Sequence, residues 1–158
     1  MSSRPIPALK LLLIDLGLLL LRIIVGVVFM YHGSQKLFGA FDGPGISGFA
    51  DGLGQMRIPM PHVSAVLSAA TEFFGGLAVL LGVATRLAVI PMVFNMTVAI
   101  VMVHSGAFSI QKGGMEYALT LAVVLAAVSL CGPGRLSGDH LILPRLRPRP
   151  AAGGMREN

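Results

Sequence analysis

Four polar residues interrupt four stretches of the sequence that are otherwise apolar: Arg22, Glu72, Asn95 and Glu116. An isolated charge in the middle of a bilayer costs about 2.5 kcal/mol or more, so each charged residue needs a partner, an aqueous cavity or a functional role. Carboxylate groups can pass protons, and guanidinium and amide groups can hold a polar headgroup by hydrogen bonds. These residues are therefore the first candidates for a functional site.

The composition places the apolar stretches in a membrane. Hydrophobic residues make up 54% of the 158 residues and charged residues only 12%, which is outside the range of ordinary soluble domains. A helix needs roughly 20 apolar residues to span the hydrocarbon core. We predict an all-α integral membrane protein, a four-helix transmembrane bundle with helices at about 11–33, 61–81, 87–104 and 114–131.

The distribution of positive charge predicts the orientation of this domain, which covers residues 11–142. Eight lysines and arginines lie in the N-terminal segment 1–10, the second loop and the segment 132–158 after the last helix, against three in the first and third loops. The positive-inside rule then places both termini in the cytoplasm. We attribute the basic tail to anionic lipid headgroups and not to nucleic acid, because no aromatic stacking platform accompanies it.

The first outer loop contains an amphipathic pattern. Its apolar residues recur at helical spacing: Ile46, Phe49, Leu53 and Met56. This spacing predicts a short helix that lies at the membrane interface. Two interpretations of the helix stay open, a lid over the outer half of the bundle or a filler that shields the ends of other helices.

Residue counting predicts that Arg22 and Glu72 lie at one depth. Each lies eleven residues from the predicted outer end of its helix, or about 16 Å at 1.5 Å per residue. Asn95 lies nine residues before His104, about 13 Å deep by the same measure. We therefore predict that Arg22 pairs with Glu72 and that Asn95 is within reach. A structural clamp, a proton relay and a binding site for a polar headgroup all fit such a cluster.

A second polar group is expected at the outer ends of the helices. Only fourteen apolar residues, 117–130, follow Glu116, which is too few to span the bilayer. We therefore predict that the last helix begins two or three residues earlier, which would draw Glu116 below the outer surface. It would share an outer vestibule with bases from other helix ends: His32, Lys36 and His104. We predict no metal site, since no pair of ligands occurs at helical spacing around these histidines.

Four blocks of the sequence resemble the DoxX family of small bacterial membrane proteins. They are LRIIVGVVFMYHGSQKLF at 21–38, EFFGG with LLG and TR within 72–86, GGME at 113–116 and GPGRLSGD at 132–139. The similarity covers about residues 16–142, in the order and with the spacing of the family. The resemblance therefore predicts a DoxX-like membrane domain over most of the chain.

The resemblance implies a multi-pass protein of the bacterial inner membrane that is a membrane subunit of a quinone-linked or stress-related oxidoreductase complex. The resemblance leaves the cofactor unknown and is compatible with a quinone. Lipid is the expected partner, and a soluble oxidoreductase subunit and a homo-oligomer are also compatible with the sequence. Several candidate residues match the family's recurrent polar positions: Arg22, His32, Lys36, Glu72 and Glu116.

The alternative function is a non-catalytic scaffold or a small-solute carrier whose polar cluster is structural. The sequence contains no flavin fingerprint, iron–sulfur cysteine set or motif for covalent attachment of a cofactor, and its single cysteine, Cys131, cannot form an intramolecular disulfide. The redox hypothesis therefore requires an external electron donor. Under this hypothesis a carboxylate near the quinone headgroup would supply protons, because quinone reduction consumes them.

Overall fold

The computed structural model describes the backbone of residues 7–146 and the side chains of residues 7–142. Six α-helices and one short 3₁₀ turn occur in that part of the chain: α1 Ala8–Phe38, α2 Gly45–Gln55, α3 Pro61–Leu81, α4 Thr85–Met102, the turn Ile110–Lys112, α5 Glu116–Cys131 and α6 Gly138–Leu146. The predicted all-α fold is confirmed. Residues 1–6 and the side chains of the predicted basic tail lie outside the described part.

Four of these helices are apolar. α1, α3 and α4 are each long and apolar enough to cross a membrane, and α5 is a shorter apolar helix of 16 residues. At 1.5 Å per residue, α5 extends about 24 Å and α1 about 46 Å. The predicted bundle is thus present as three candidate spans and one shorter helix.

α5 begins later than the sequence predicted. Gly113 has a φ of 71°, and the 3₁₀ turn that precedes it is closed by a hydrogen bond from the Gly113 amide to the Ile110 carbonyl. A left-handed residue cannot belong to a right-handed helix, so the helix starts only after it. Glu116 is therefore the first residue of α5 and not an interior one, and the expected earlier start is wrong.

α1 and α3 pack closely at positions occupied by glycine. A Cβ atom placed on Gly33 would lie 2.5 Å from the backbone nitrogen of Phe73, and one on Gly76 would lie 2.9 Å from the carbonyl oxygen of Gly26. Small residues let two helix backbones approach in this way. The glycines therefore set the register between α1 and α3, on which the position of every polar side chain in these helices depends.

We expect the Gly33→Ala variant to be less stable than the wild type by about 1–3 kcal/mol, because the added methyl group overpacks a backbone contact. Gly17→Ala is the matched control on the same helix, since a Cβ there meets no atom within 4 Å. The free energy of unfolding in detergent micelles, followed by circular dichroism, measures both effects. Equal stabilities of the two variants would contradict the close packing of α1 on α3.

The bundle has two chemically different ends. The hairpin end contains the link between α3 and α4, residues 82–84, and the segment 132–137 that joins α5 to α6. The loop end contains α2 and the segment 103–115. By the charge distribution of the sequence, the hairpin end is the one predicted to face the cytoplasm.

α2 covers part of the loop end. Its buried residues Ala50 and Leu53 pack against Ala65 of α3, together with the partly buried Phe49 and Ile58. The predicted short helix of the first loop is therefore confirmed. Its apolar face is buried against the bundle, which brings α2 close to the polar side chains inside.

Candidate functional site

A chain of hydrogen bonds links α1, α3 and α4 near the loop end. Lys36 Nζ lies 2.6 and 2.7 Å from the two carboxylate oxygens of Glu72. Asn95 Nδ2 donates to Glu72 Oε1 at 2.9 Å, and Ser68 Oγ donates to Asn95 Oδ1 at 2.9 Å. We call these four side chains the polar network.

The polar network compensates the charge of a buried carboxylate. The Glu72 side chain is only 2% exposed, whereas that of Lys36 is 27% exposed. A carboxylate can only accept hydrogen bonds, so the amide nitrogen of Asn95 must face Glu72 and its oxygen is left for Ser68. The Lys36 ammonium also lies 5.0 Å from the centre of the Phe49 ring of α2, a cation–π distance. Four helices thus contribute to the surroundings of one ion pair.

Arg22 belongs to a different part of the molecule. Its side chain is buried, with 1% exposure, and it donates to four backbone carbonyls: Val79 and Leu80 at 3.0 Å each, Pro133 at 2.6 Å and Leu136 at 2.9 Å. The predicted pair between Arg22 and Glu72 is therefore wrong, and Lys36 is the cation that binds Glu72. The proximity of Glu72 and Asn95, by contrast, is observed.

The register of the helices explains this difference. α1 continues to Phe38, five residues beyond the predicted end, and the close contact of Gly26 with Gly76 and Leu80 sets Arg22 beside the end of α3. The last carbonyls of a helix have no partner within it and attract cationic donors. Along α3, Val79 lies seven residues beyond Glu72, or about 11 Å. The sequence prediction counted residues from helix ends that it assumed to lie at one level, and it therefore placed Arg22 and Glu72 at the same depth.

Two buried or half-buried carboxylates complete the hairpin end. Asp15 Oδ1 accepts a hydrogen bond from the Arg135 amide at 2.9 Å. The Asp139 carboxylate accepts from the amides of Ala84 at 2.8 Å and Thr85 at 3.4 Å, where a negative charge favours the start of α4. Together with Arg22, these contacts hold the 132–137 segment against α1 and α3 and the start of α6 against α4.

An apolar crevice opens beside the polar network. A cavity of about 450 Å³ is lined by residues of α3 and α4, among them the exposed Leu67 and Phe94. A second cavity, of about 320 Å³, lies against α2 and reaches Lys36 and Glu72. Both cavities are lined by the same five residues: Leu53, Ile58, Ser68, Asn95 and Val98. They therefore form one crevice that has the polar network in its wall.

A separate side cavity of about 180 Å³ is bounded by residues of α1, α4 and α5 and by two members of the polar network, Lys36 and Glu72. Its polar lining is rich in groups that can exchange protons: His32, Lys36, Glu72, His104 and Tyr117. The ring centres of His32 and Tyr117 are 6.3 Å apart. Glu72 and Lys36 line both the side cavity and the crevice.

The side cavity corresponds to the expected outer vestibule, but one of its predicted lining residues differs. His32, Lys36 and His104 line the side cavity, but Glu116 does not. The Glu116 carboxylate instead accepts a hydrogen bond from the backbone amide of Ile110, because Glu116 starts α5 and faces the preceding turn. Glu72 takes the place that the sequence assigned to Glu116.

Sequence reasoning did not single out Tyr117 as a site residue. Its only signal was its place directly after Glu116 at the start of an apolar helix. Ser68 had a stronger signal, since it lies four residues before Glu72 and so on the same face of α3. Among the residues that the structure describes, no three side chains of His, Cys, Asp or Glu are grouped so that they could hold a metal ion.

The geometry suits a polar headgroup attached to an apolar body. The wall of the crevice offers an ammonium and an amide as donors and a carboxylate as acceptor, and the rest of its lining is mostly apolar. Ligand sites commonly combine an apolar pocket with a few placed polar groups. Hydrogen bonding and proton exchange are the chemistry that these side chains can perform.

The known proteins that this chain resembles are consistent with a membrane protein of one family. Residues 17–105 match the family model described as DoxX. The chain is 34% identical over 152 aligned residues to an uncharacterized membrane protein of Mycobacterium tuberculosis, with 86% of this chain and 85% of the relative covered. It is 30% identical over 115 residues to a Bacillus subtilis protein named "Putative oxidoreductase CatD", with 73% and 80% covered. No solved structure matches the chain at a significant level.

Proposed function

The chain belongs to the DoxX family of membrane proteins, and on that basis we propose that it is the membrane subunit of a quinone-linked oxidoreductase complex. In this proposal the crevice binds the quinone headgroup, and the polar network supplies hydrogen bonds and protons. One observation carries the proposal: a buried, charged and hydrogen-bonded network forms the wall of an apolar crevice between helices.

The two parts of the crevice match the two parts of an isoprenoid quinone. Quinone carbonyl oxygens accept hydrogen bonds, which Lys36 and Asn95 can donate from the wall. The stretch between α3 and α4 is lined by apolar residues such as Leu67 and Phe94. Both of these side chains are exposed, which supports entry of an apolar tail from the surrounding lipid.

The proposed reaction needs an electron donor outside this chain. Reduction of a quinone to a quinol consumes two electrons and two protons, and each carbonyl becomes a hydroxyl group. We propose that the electrons come from a soluble partner that carries a reduced flavin or an iron–sulfur centre, while Glu72 passes protons to the headgroup. The name of the Bacillus relative supports an oxidoreductase role. A role in the response to oxidative stress would follow from such a complex.

The proposal includes a location. We place the protein in the bacterial cytoplasmic membrane, with the hairpin end and both termini in the cytoplasm, because that orientation follows the positive-inside rule. The crevice and the side cavity then lie towards the outer face.

Binding of a short-chain naphthoquinone tests the proposal. We expect the purified protein in detergent to bind this probe in isothermal titration calorimetry, and we expect Asn95→Leu to weaken binding about tenfold or more, a loss of about 1.4 kcal/mol. Leucine keeps the approximate size of the side chain but removes the Asn95 amide, which donates one hydrogen to Glu72 and has a second one for the headgroup. The ion pair between Lys36 and Glu72 is left in place.

Thr97→Val is the matched control for this experiment. Thr97 lies on the same helix, is exposed, and bonds only to the carbonyl of Val93 within α4. It should bind the probe as the wild type does. Absence of binding to the wild type, or equal affinity of the Asn95→Leu and Thr97→Val variants, would contradict the proposal and favour a scaffold or small-solute carrier.

A further inference from the structure

His104 lines both spaces that contain Glu72. It is part of the lining of the side cavity and also of the crevice beneath α2. It follows the end of α4 at the loop end of the bundle, and its side chain is half-buried. One imidazole thus lies between the surface and a buried carboxylate.

The backbone determines which nitrogen of His104 carries the proton. His104 Nδ1 lies 2.8 Å from the carbonyl oxygen of Gly113. A carbonyl can only accept a hydrogen bond, so Nδ1 is the protonated nitrogen in the neutral ring. Nε2 is then the free base. The turn that ends at Gly113 therefore fixes the tautomer of His104 as well as the start of α5.

We infer that His104 is a proton-relay residue that carries protons between water at the loop end and Glu72. The inference rests on the proposed function for the destination of the proton, since quinone reduction would draw it from Glu72. Although His104 also lines the crevice, its role here is to pass protons to Glu72 and not to bind the headgroup.

The transfer balances in protons and charge. A hydronium ion at the loop end gives a proton to His104 Nε2 and becomes water, which makes the ring an imidazolium. The Nε2–H bond then breaks as a water molecule in the side cavity takes that proton and gives one of its own to a Glu72 oxygen. His104 returns to its neutral tautomer, Glu72 becomes neutral, and Lys36 keeps its positive charge.

The side cavity can hold the water that this transfer requires. A water molecule occupies about 30 Å³ of liquid volume and needs two to four polar partners, and the cavity measures about 180 Å³. The charged and titratable groups that share it with His104 come from three helices: His32 and Lys36 of α1, Glu72 of α3 and Tyr117 of α5.

A pH-jump experiment tests the relay without any quinone. Time-resolved infrared spectroscopy follows protonation of a carboxylate, and the signal that disappears in Glu72→Gln identifies Glu72. We expect His104→Gln to slow protonation of Glu72 about tenfold or more, within the range that a positioned acid–base group contributes. His62→Gln is the matched control, because His62 is exposed and lines neither the crevice nor the side cavity.

Chemical rescue separates a relay from a structural role. Added imidazole should restore much of the protonation rate in His104→Ala, since it can enter the emptied space and exchange protons, whereas a purely structural loss would not respond. An unchanged rate in His104→Gln, or a slowed rate in His104→Ala that imidazole does not raise, would overturn the inference.

A second readout distinguishes failure of the relay from failure of the proposed function. With a bound naphthoquinone reduced electrochemically, a pH-indicator dye reports proton uptake. If quinone binds but His104→Gln takes up protons at the wild-type rate over the whole pH range, the relay is wrong and the quinone site stands. If no quinone binds but protonation of Glu72 still slows in His104→Gln, the proposed function is wrong and the relay stands.

Discussion

The Arg22→Ala variant should be less stable than the wild type by about 3 kcal/mol or more. The substitution removes hydrogen bonds to four carbonyl oxygens, and a hydrogen bond to a charged group contributes about 1.5–3 kcal/mol. The orphaned carbonyls would remain in a buried site, although those of the 132–137 segment can relax towards water. We therefore expect less than the sum of four bonds but a large loss.

Arg22→Lys should recover only part of this loss. The guanidinium donates through three nitrogen atoms to carbonyls of α3 and of the 132–137 segment, whereas an ammonium places all its donors on one atom. It can reach one group of carbonyls but not both. Unfolding in detergent micelles measures the difference among the three proteins.

Lys10→Ala is the control for these variants, because Lys10 is an exposed cation on the same helix. Hydrogen exchange gives a local readout, since the Arg135 amide is bonded to Asp15 and should exchange faster once Arg22 no longer holds its segment. Similar stabilities of Arg22→Ala and Lys10→Ala would show that the buried guanidinium does not anchor the hairpin end.

The Lys36→Met variant should lose about 3–5 kcal/mol, because removing one partner leaves a buried, uncompensated charge. Adding Glu72→Gln should recover most of that loss, since the amide removes the unpaired carboxylate. The interaction energy of the double-mutant cycle is then at least about 1 kcal/mol, in the range found for residues in direct contact. Thermal and denaturant unfolding in detergent give the four stabilities required.

A second cycle, on Arg22 and Glu72, is the matched control. These residues share no hydrogen-bond partner among their described contacts, so their effects should add within about 0.5 kcal/mol. Coupling between Arg22 and Glu72, or additivity between Lys36 and Glu72, would contradict the assignment of the ion pair.

The stability of the folded protein does not require the ion pair of the polar network. A buried ion pair can often be replaced by apolar residues of similar volume at little or no cost. Lys36→Met combined with Glu72→Met should therefore fold, but it would lack the donors and the carboxylate that the proposed quinone site requires. A protein that is stable without its ion pair but no longer binds the probe would separate the two roles of the network.

The sequence by itself determined the class of the protein and most of its candidate residues. Burying 54% hydrophobic residues in long unbroken runs is favourable only in a membrane bundle, and local periodicity was sufficient to predict α2. Charges in such runs are costly, so Arg22 and Glu72 stood out from their types and surroundings alone, whereas Lys36 was predicted as a base at the outer ends of the helices. Their identification needed no knowledge of neighbouring helices.

Only the tertiary structure decided which of these residues meet. The partner of Glu72 depends on how far α1 slides along α3, and that offset is set by backbone contacts at Gly26, Gly33 and Gly76. Arg22 reaches the carbonyls at the end of α3, and Lys36 reaches the carboxylate instead. Residue counting along one helix holds no information about this offset, because register between helices arises from the packing of two surfaces.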